Sequence, residues 1–580
     1  MKIRSLFRRA NSRPLWLAPL SVACAPSLPQ TQQHIYLYIC IYSLTSISVN
    51  GSHRSTIVLI STTREGYMKA HHAYSLLKSA PLVASLMMGS VGTSALAAEL
   101  GTITIATQLD LLTLNSSKNV TGWHRWVYRN IYDPLITLDE NNEIKPALAT
   151  SWERIADNTW RFKLREGIKF QNGEPFKAEA VKLWIDEGKK ADSQARGSLA
   201  LITEAKVVDD HTLDIVTDGP VAYFIDTIAD RMSALPPAYY KQVGAQEFGL
   251  KPVGTGPYKF VSWRRGDRIV LESNPEYWGG APKADGVVFW VVPDASARAA
   301  AVLNGEATLG TAIAPLEAPR FESSATARIS ASEGGNRPIW GGMMMNRPIF
   351  QDRRVREAVN LAVNRQAIVD RLLRGYGKPM GQLCATSMYC YDPAIGPMPY
   401  DPAKAKSLLQ EAGVKDMSIT LHAPQGPVAQ ANELTQIIAA NLKQVGFNVS
   451  IRIDEASQFS AKLYDFDNKG KDVGDLFIYF YQGGPGSETT IRSLTNSKGN
   501  WNWQYYHDAQ VDAYWDQAQK SFDQGPRQEA LQKLSAKVRA DVPWLFLYEP
   551  LSVWAVSNKI AWKARADDQI IIQDMGPAEK

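Results

Sequence analysis

The run from Ser418 to Ala456 changes its apolar period twice. "SITLHAP" alternates apolar and polar residues, a helical segment then runs to Gly446, and "NVSIRIDEA" alternates again. A period of two that gives way to 3.6 and returns marks a strand–helix–strand unit, the building block of α/β folds. A second such unit is written in "ADGVVFWVV" followed by "SARAAAVLNGEATLG". The chain has 580 residues, more than one hydrophobic core serves, so two or three domains are expected.

The other patterns fit that class. "GTITIATQLDLLTLN" begins as an alternating strand. "NTWRFKLREGIKFQNGEPFKAEAVKLWIDEG" predicts strand, turn, strand, loop and helix, with turns at Glu166-Gly167 and Asn172-Gly173. "AKVVDDHTLDIVT" is a hairpin around Asp209-Asp210. "DRRVREAVNLAVNRQAIVDRLLRG" predicts one long helix with a stripe of Val355, Val359, Ala362, Ile368 and Leu372, stopped at Gly375. "DPAKAKSLLQEAG" predicts a second, with Asp401 as N-cap, Pro402 in the first turn and Gly413 at the end.

The N-terminal hundred residues belong to a different argument. Met68-Lys69 leads to "APLVASLMMGSVGTSALAA", an apolar stretch ending in small residues, and Ala95-Leu96-Ala97 fits a secretory cleavage site. Residues 68–97 therefore read as a signal peptide. Residues 1–67 are either upstream of the true start at Met68 or a genuine extension or anchor. This leader holds nine of the chain's 63 basic residues and two of its 58 acidic ones within the first hundred positions, so the rest carries a formal net charge of −2. The basic character of the whole chain is the leader's, and no nucleic-acid footprint remains.

Beyond the leader only Cys384 and Cys390 remain, in "CATSMYC". In an exported protein this pair closes a small disulfide loop or stays as two thiols. His124, His211, His422 and His507 are dispersed, so neither a zinc motif nor any other metal or cofactor site is expected. There is no nucleophile elbow, HExxH or Walker loop, which argues against an enzyme. "VGTGPYKF", 253–260, imitates a phosphate loop, but Pro257 removes a donor and strands follow instead of a helix. It reads as a turn into a hairpin, with Gly254 and Gly256 supplying unusual backbone angles or a close approach, or lining a cleft.

Five segments in order complete the reading: "IYDPLITLDENNEIKPALATSWE", "DNTWRFKLREGIKFQNGEPFKAEAV", "KPVGTGPYKFVSWRRGDRIVLESNPEYWGG", "NRPIFQDRRVREAVNLAVNRQAI" and "YDPAKAKSLLQEAGV". Together they resemble the extracytoplasmic solute-binding proteins of family 5, the large peptide/nickel/opine class serving ABC importers. The resemblance implies an α/β, two-lobe periplasmic-binding-protein fold of type II with two hinge strands. It implies a first lobe over 98–342 with a β-rich subdomain at about 138–225, a second over 343–545, and a return to the first over 546–580. It also implies a monomer in the Gram-negative periplasm that encloses a solute and delivers it to an inner-membrane permease, without a cofactor.

The solute is expected to be a peptide or peptide-like. In peptide-binding relatives the stretch matching "GDLFIYFYQGGPGSETT", 474–490, carries an acidic loop that meets the peptide amine. Here Gln482, Gly483, Gly484 and Gly486 fall where the carboxylates would be, and Glu488 is displaced. That opens an alternative, an oligosaccharide, opine or sugar-phosphate conjugate, with an enzyme or chaperone-like role more remote. Candidate ligand contacts are Tyr479, Tyr481, Gly483 and Gly484; Asn500, Trp501, Asn502, Trp503 and Tyr505 of "GNWNWQYYHD"; and Trp123 and Arg125 of "GWHRWVYR". Aromatic faces beside amides suit a neutral polar ligand, and an arginine grips a carboxylate or phosphate through two hydrogen bonds. Arg125 and Arg129, at i and i+4, also fit a solvated helix face, and "MMM", 343–345, fits a core strand at the hinge. On this view Trp503 matters more to binding than Glu488.

Overall fold

The computed structural model of the protein describes residues 100–119, 122–332, 334, 337–426, 428, 430–465, 472–481 and 487–578. The leader, residues 1–97, and the candidate glycines Gly483 and Gly484 lie outside the described residues. Trp123 lies in a described helix, but its side chain does not belong to the description.

Two mixed sheets organise the described chain. The first has seven strands in the order Ala327–Ala331, Val553–Ser557, Leu309–Gly310, Thr102–Thr107, Gly286–Val291, Arg268–Ser273 and Tyr258–Arg264. Thr102–Thr107 runs parallel to Gly286–Val291 and to Leu309–Gly310. The second has six: Gly377–Pro379, Trp544–Pro550, Ile339–Met343, Leu476–Phe480, Ser418–Gln425 and Asn448–Glu455. Here Ser418–Gln425 is parallel to both neighbours, and the helix Ala431–Gln444 crosses over between it and Asn448–Glu455, as the double change of period requires. The chain passes between the two sheets twice, from Ala327–Ala331 to Ile339–Met343 and from Trp544–Pro550 to Val553–Ser557. Met343 and Met344 are fully buried in the second sheet's surroundings.

A four-stranded antiparallel sheet, Ala149–Ala156, Thr159–Leu164, Thr212–Thr217 and Ile202–Asp209, packs into the same core as the seven-stranded sheet. Phe162, Leu213 and Ile215 meet Trp184 of the helix Ala178–Gly188 there. Each is essentially removed from water, which contributes roughly 1.5–3 kcal/mol per large apolar side chain. Gly167 and Gly173 adopt positive φ, as their turns demand. The second strand expected after Gly167 is reduced to one bridge, Lys169 to Pro175.

Two sequence expectations are corrected. The long helix ends at Ala362 because Val363 turns extended, and Asn364 restarts it by accepting from the Ala367 amide at 2.9 Å. Arg365 is the reason for the break. Fully packed, its guanidinium donates to the carbonyls of Asn360 and Val363 and to the Asn360 side chain, groups a continuous helix would use otherwise. The second correction concerns Gly254 and Gly256. Neither has a positive φ; both are needed because a Cβ would lie 2.0 Å from the Ile131 carbonyl oxygen at Gly254 and 2.6 Å from its carbonyl carbon at Gly256. The Gly256 amide donates to that oxygen at 2.9 Å. The turn clamps the end of the helix Gly122–Ile131 instead of lining a cleft.

Candidate functional site

The helix Gly122–Ile131, held by that clamp, presents Arg125 and Arg129 one turn apart. Beside them the chain turns at Asp230, in left-handed conformation at φ 58°, a shape aspartate tolerates better than most residues. Asp230 accepts from the Thr137 hydroxyl at 2.9 Å and pairs with Arg129 at 3.1 Å. That pairing fixes Arg231 next in sequence. Arg565 is similarly bound, to Asp567 at 2.7 Å and Asp574 at 3.1 Å.

Arg125, Arg231 and Arg337 differ from these. Among the described residues none of the three has a carboxylate within ion-pair distance, and the buried Nε of Arg125 has no hydrogen-bond partner. Arg125 and Arg231 line one pocket with Ser116, Asn119 and Ser233. Burial pulls the Arg231 guanidinium down to about 10, with Arg125 beside it adding to the shift and Glu488 and Asp230 opposing it. Burial lowers Arg125 and Arg337 too. Arg337, on the crossing between the sheets, lies 5.1 Å from the centre of the Phe480 ring.

Glu488, the first residue of the helix Glu488–Thr495, acts electrostatically on Arg231. It is 0% exposed, and among the described residues neither carboxylate oxygen has a hydrogen-bond partner. Burial pushes its pKa up to about 7, Asp226 adds to this, and Arg527 and Arg231 pull it back. Glu488 thus opens a helix directly after the glycine-rich stretch, buried and under the electrostatic influence of Asp226, Arg231 and Arg527.

The bodies are joined around it. Arg527, at the start of the helix Gln524–Asp541, donates to the Ala222 carbonyl at 2.6 Å and pairs with Asp226 at 3.3 Å. The Tyr389 hydroxyl donates to Asp226 at 3.3 Å and its ring lies 5.0 Å from the Arg527 guanidinium. The Ala222 amide donates to the Gln519 carbonyl at 3.1 Å. Tyr389 is carried by the loop that the Cys384–Cys390 disulfide closes.

The aromatic candidates gather elsewhere. Tyr479, Tyr481 and Trp503 belong to a core of the six-stranded body. Trp503 is 3% exposed, with Trp501 stacked at 6.0 Å and Tyr464 edge-on at 5.3 Å. Tyr481 donates to the Leu383 carbonyl at 2.7 Å. Asn502 donates to the Tyr506 carbonyl. Packing and hydrogen bonds hold Tyr479, Tyr481, Asn502 and Trp503 within this body. Asn500 is exposed; Trp501 and Tyr505 are half-buried. Of the candidates whose side chains are described, Arg125 alone joins the charged group. Arg231, Arg337, Asp226 and Arg527 were not legible, because isolated charged residues on loops and helix faces carry no periodic signal.

Residues 143–505 match the model of the bacterial extracellular solute-binding proteins, family 5 middle region. The glutathione-binding protein GsiB of Pectobacterium atrosepticum is 30% identical over 490 residues, covering 82% of this chain and 93% of that protein. The periplasmic binding protein DppA of Helicobacter pylori, solved with the peptide STSA, superimposes with a TM-score of 0.69 at 23% identity, over 83% of this chain and 98% of that one. NikA of Brucella suis, solved with Fe(III)-EDTA, gives 0.72 at 24% identity, over 82% and 99%. At these identities the two solved structures speak for the fold alone.

Proposed function

The chain belongs to the bacterial extracellular solute-binding proteins of family 5, and from that membership we propose that it captures a short peptide-like solute by its free amino group and hands it to an ABC permease. Its fold is the family's two-lobe type II arrangement. In this reading the protein is exported, works as a monomer outside the inner membrane, and performs no chemistry on the solute. Among the described residues no helix is long and apolar enough to cross a membrane.

Glu488 carries the reading. A carboxyl group with no hydrogen-bond partner and no exposure is costly to leave so. Burial, with Asp226 adding to it, pushes its pKa up to about 7. An ammonium group delivered into the space between the lobes supplies the missing donors and restores the carboxylate, at the strength of a charge-assisted hydrogen bond. Names among the relatives agree in kind: one binds glutathione, and another was solved with a tetrapeptide. Both ligands bear a free amine. The alternative, an oligosaccharide, opine or sugar-phosphate conjugate, rested on the missing acidic loop, and the buried carboxyl of Glu488 favours the amine-bearing peptide over it.

The experiment is a thermal-melt titration with short peptides and their N-acetylated counterparts. Free peptides should raise the melting temperature in a concentration-dependent way, and N-acetylation should abolish the shift. Equal shifts from both forms would sink the amine anchor.

A further inference from the structure

We infer that the solute is a net-acidic peptide-like molecule with at least two carboxylates, and that Arg125 and Arg231, assisted by Arg337, select it. The inference rests on the amine-anchored reading above and specifies the ligand of the same site.

The argument is one of charge in a confined space. Of the five arginines in this region, Arg129 and Arg565 are spent on Asp230, Asp567 and Asp574. Arg125, Arg231 and Arg337 have no ion-pair partner among the described residues. Glu488, which acts electrostatically on Arg231, is pushed up to about 7 by burial and by Asp226 and so supplies only part of a negative charge. Arg125 depresses Arg231 electrostatically, and the two line one pocket. The anion that acts on both, Asp230, is already paired with Arg129, so the mutual repulsion of two half-buried guanidinium groups is only partly offset. A carboxylate between them reverses the sign of that interaction and accepts two-pronged hydrogen bonds from either. Their pocket is also lined by Ser116, Asn119 and Ser233, and by two carboxylates that are already engaged, Asp133 by Thr255, Tyr277 and Trp278 and Asp230 by Arg129 and Thr137.

Arg337 offers a second place. It sits on the crossing between the lobes, 5.1 Å from the centre of the Phe480 ring, and has no ion-pair partner among the described residues. A zwitterionic dipeptide has one carboxylate for this set. A peptide with an acidic side chain, or one joined through a side-chain carboxyl, has two. With an ammonium at Glu488 and carboxylates at Arg125–Arg231 and Arg337, every unpaired charge of the site has an opposite.

The test is calorimetric titration of the intact exported protein with tri-alanine, with the acidic tripeptide Glu-Ala-Glu, and with glutathione, against wild type, R125Q, R231Q, R231K and E488Q. The expected result is that the two acidic tripeptides bind at least tenfold tighter than tri-alanine. R125Q and R231Q should bring acidic and neutral ligands to within about threefold of each other, while R231K keeps part of the preference. An unchanged melting temperature of the unliganded variants separates this from misfolding. Tri-alanine binding as tightly as the acidic tripeptides to wild type, or an undiminished acidic preference in R125Q and R231Q, would overturn the inference and leave the amine anchor standing. E488Q separates the two claims, since it should weaken all three ligands alike. Binding by none of the three would overturn both.

Discussion

At the scale of single residues, Glu488 and Trp503 exchange the roles their sequence contexts suggest. Glu488→Gln should weaken an amine-bearing ligand by about 1.5–3 kcal/mol, the range for a hydrogen bond to a charged group, with little loss of stability. Trp503→Ala should instead act on folding. Removing a 3% exposed tryptophan from between Trp501, Tyr464 and Phe477 leaves a cavity that costs roughly 3–5 kcal/mol, read as a fall in melting temperature. A silent melting curve for the tryptophan variant would restore it to the ligand surface. Protonation gives an independent check. The folded Glu488 pKa of about 7 lies above its ordinary 4.5, so its contribution to stability is fully present below pH 4.5 and is lost as pH rises through about 7. Asp226, Tyr223, Tyr389, Arg231 and Arg527 surround it. An ammonium ligand should therefore expel a proton between about pH 5 and 7. The binding enthalpy at pH 6.5 should vary with the ionisation enthalpy of the buffer, and affinity should rise with pH over that window. A buffer-independent enthalpy would mean that Glu488 keeps its proton state on binding.

At the scale of elements, the sequence displays what repeats and conceals what is local. Ser418–Gln425, Ala431–Gln444 and Asn448–Glu455 are legible because apolar period follows secondary structure. The cap at Asp401 is legible too: its carboxylate accepts from the Lys404 amide at 2.9 Å, and Gly413 ends that helix at φ 64°. The break after Ala362 is hidden, because one buried arginine with distant partners decides it. The charged cleft is hidden for the same reason. Arg125, Arg231, Arg337 and Glu488 come from four separated segments, and only the fold puts them together. The disulfide loop and the helix Gln524–Asp541 make a second testable element. Arg527→Ala leaves Asp226, 5% exposed, without its ion-pair partner across the lobes, and should lower ligand affinity by on the order of 2–3 kcal/mol. Reduction of Cys384–Cys390 frees the loop that carries Tyr389 to Asp226 and should weaken binding in the same direction. Thiol labelling should find both cysteines unreactive until a reductant is added, while full affinity after reduction would show that the loop holds Tyr389 unaided.

At the scale of the whole molecule, two sheets linked by two crossings form a hinge, and the contacts at Ala222, Asp226, Tyr389, Gln519 and Arg527 hold its far side shut. Such a device closes when ligand charges complete the space between the lobes. The central claim is that the solute is enclosed there, its amine on Glu488. Small-angle scattering of the wild-type protein and of Glu488→Gln, each with and without saturating Glu-Ala-Glu and its N-acetylated form, tests this most directly. The account predicts a smaller radius of gyration for the wild type with the free peptide only, and no change for the variant at the same concentration. Compaction of the wild type by the N-acetylated peptide, or an unchanged profile when the free peptide is bound, would contradict it.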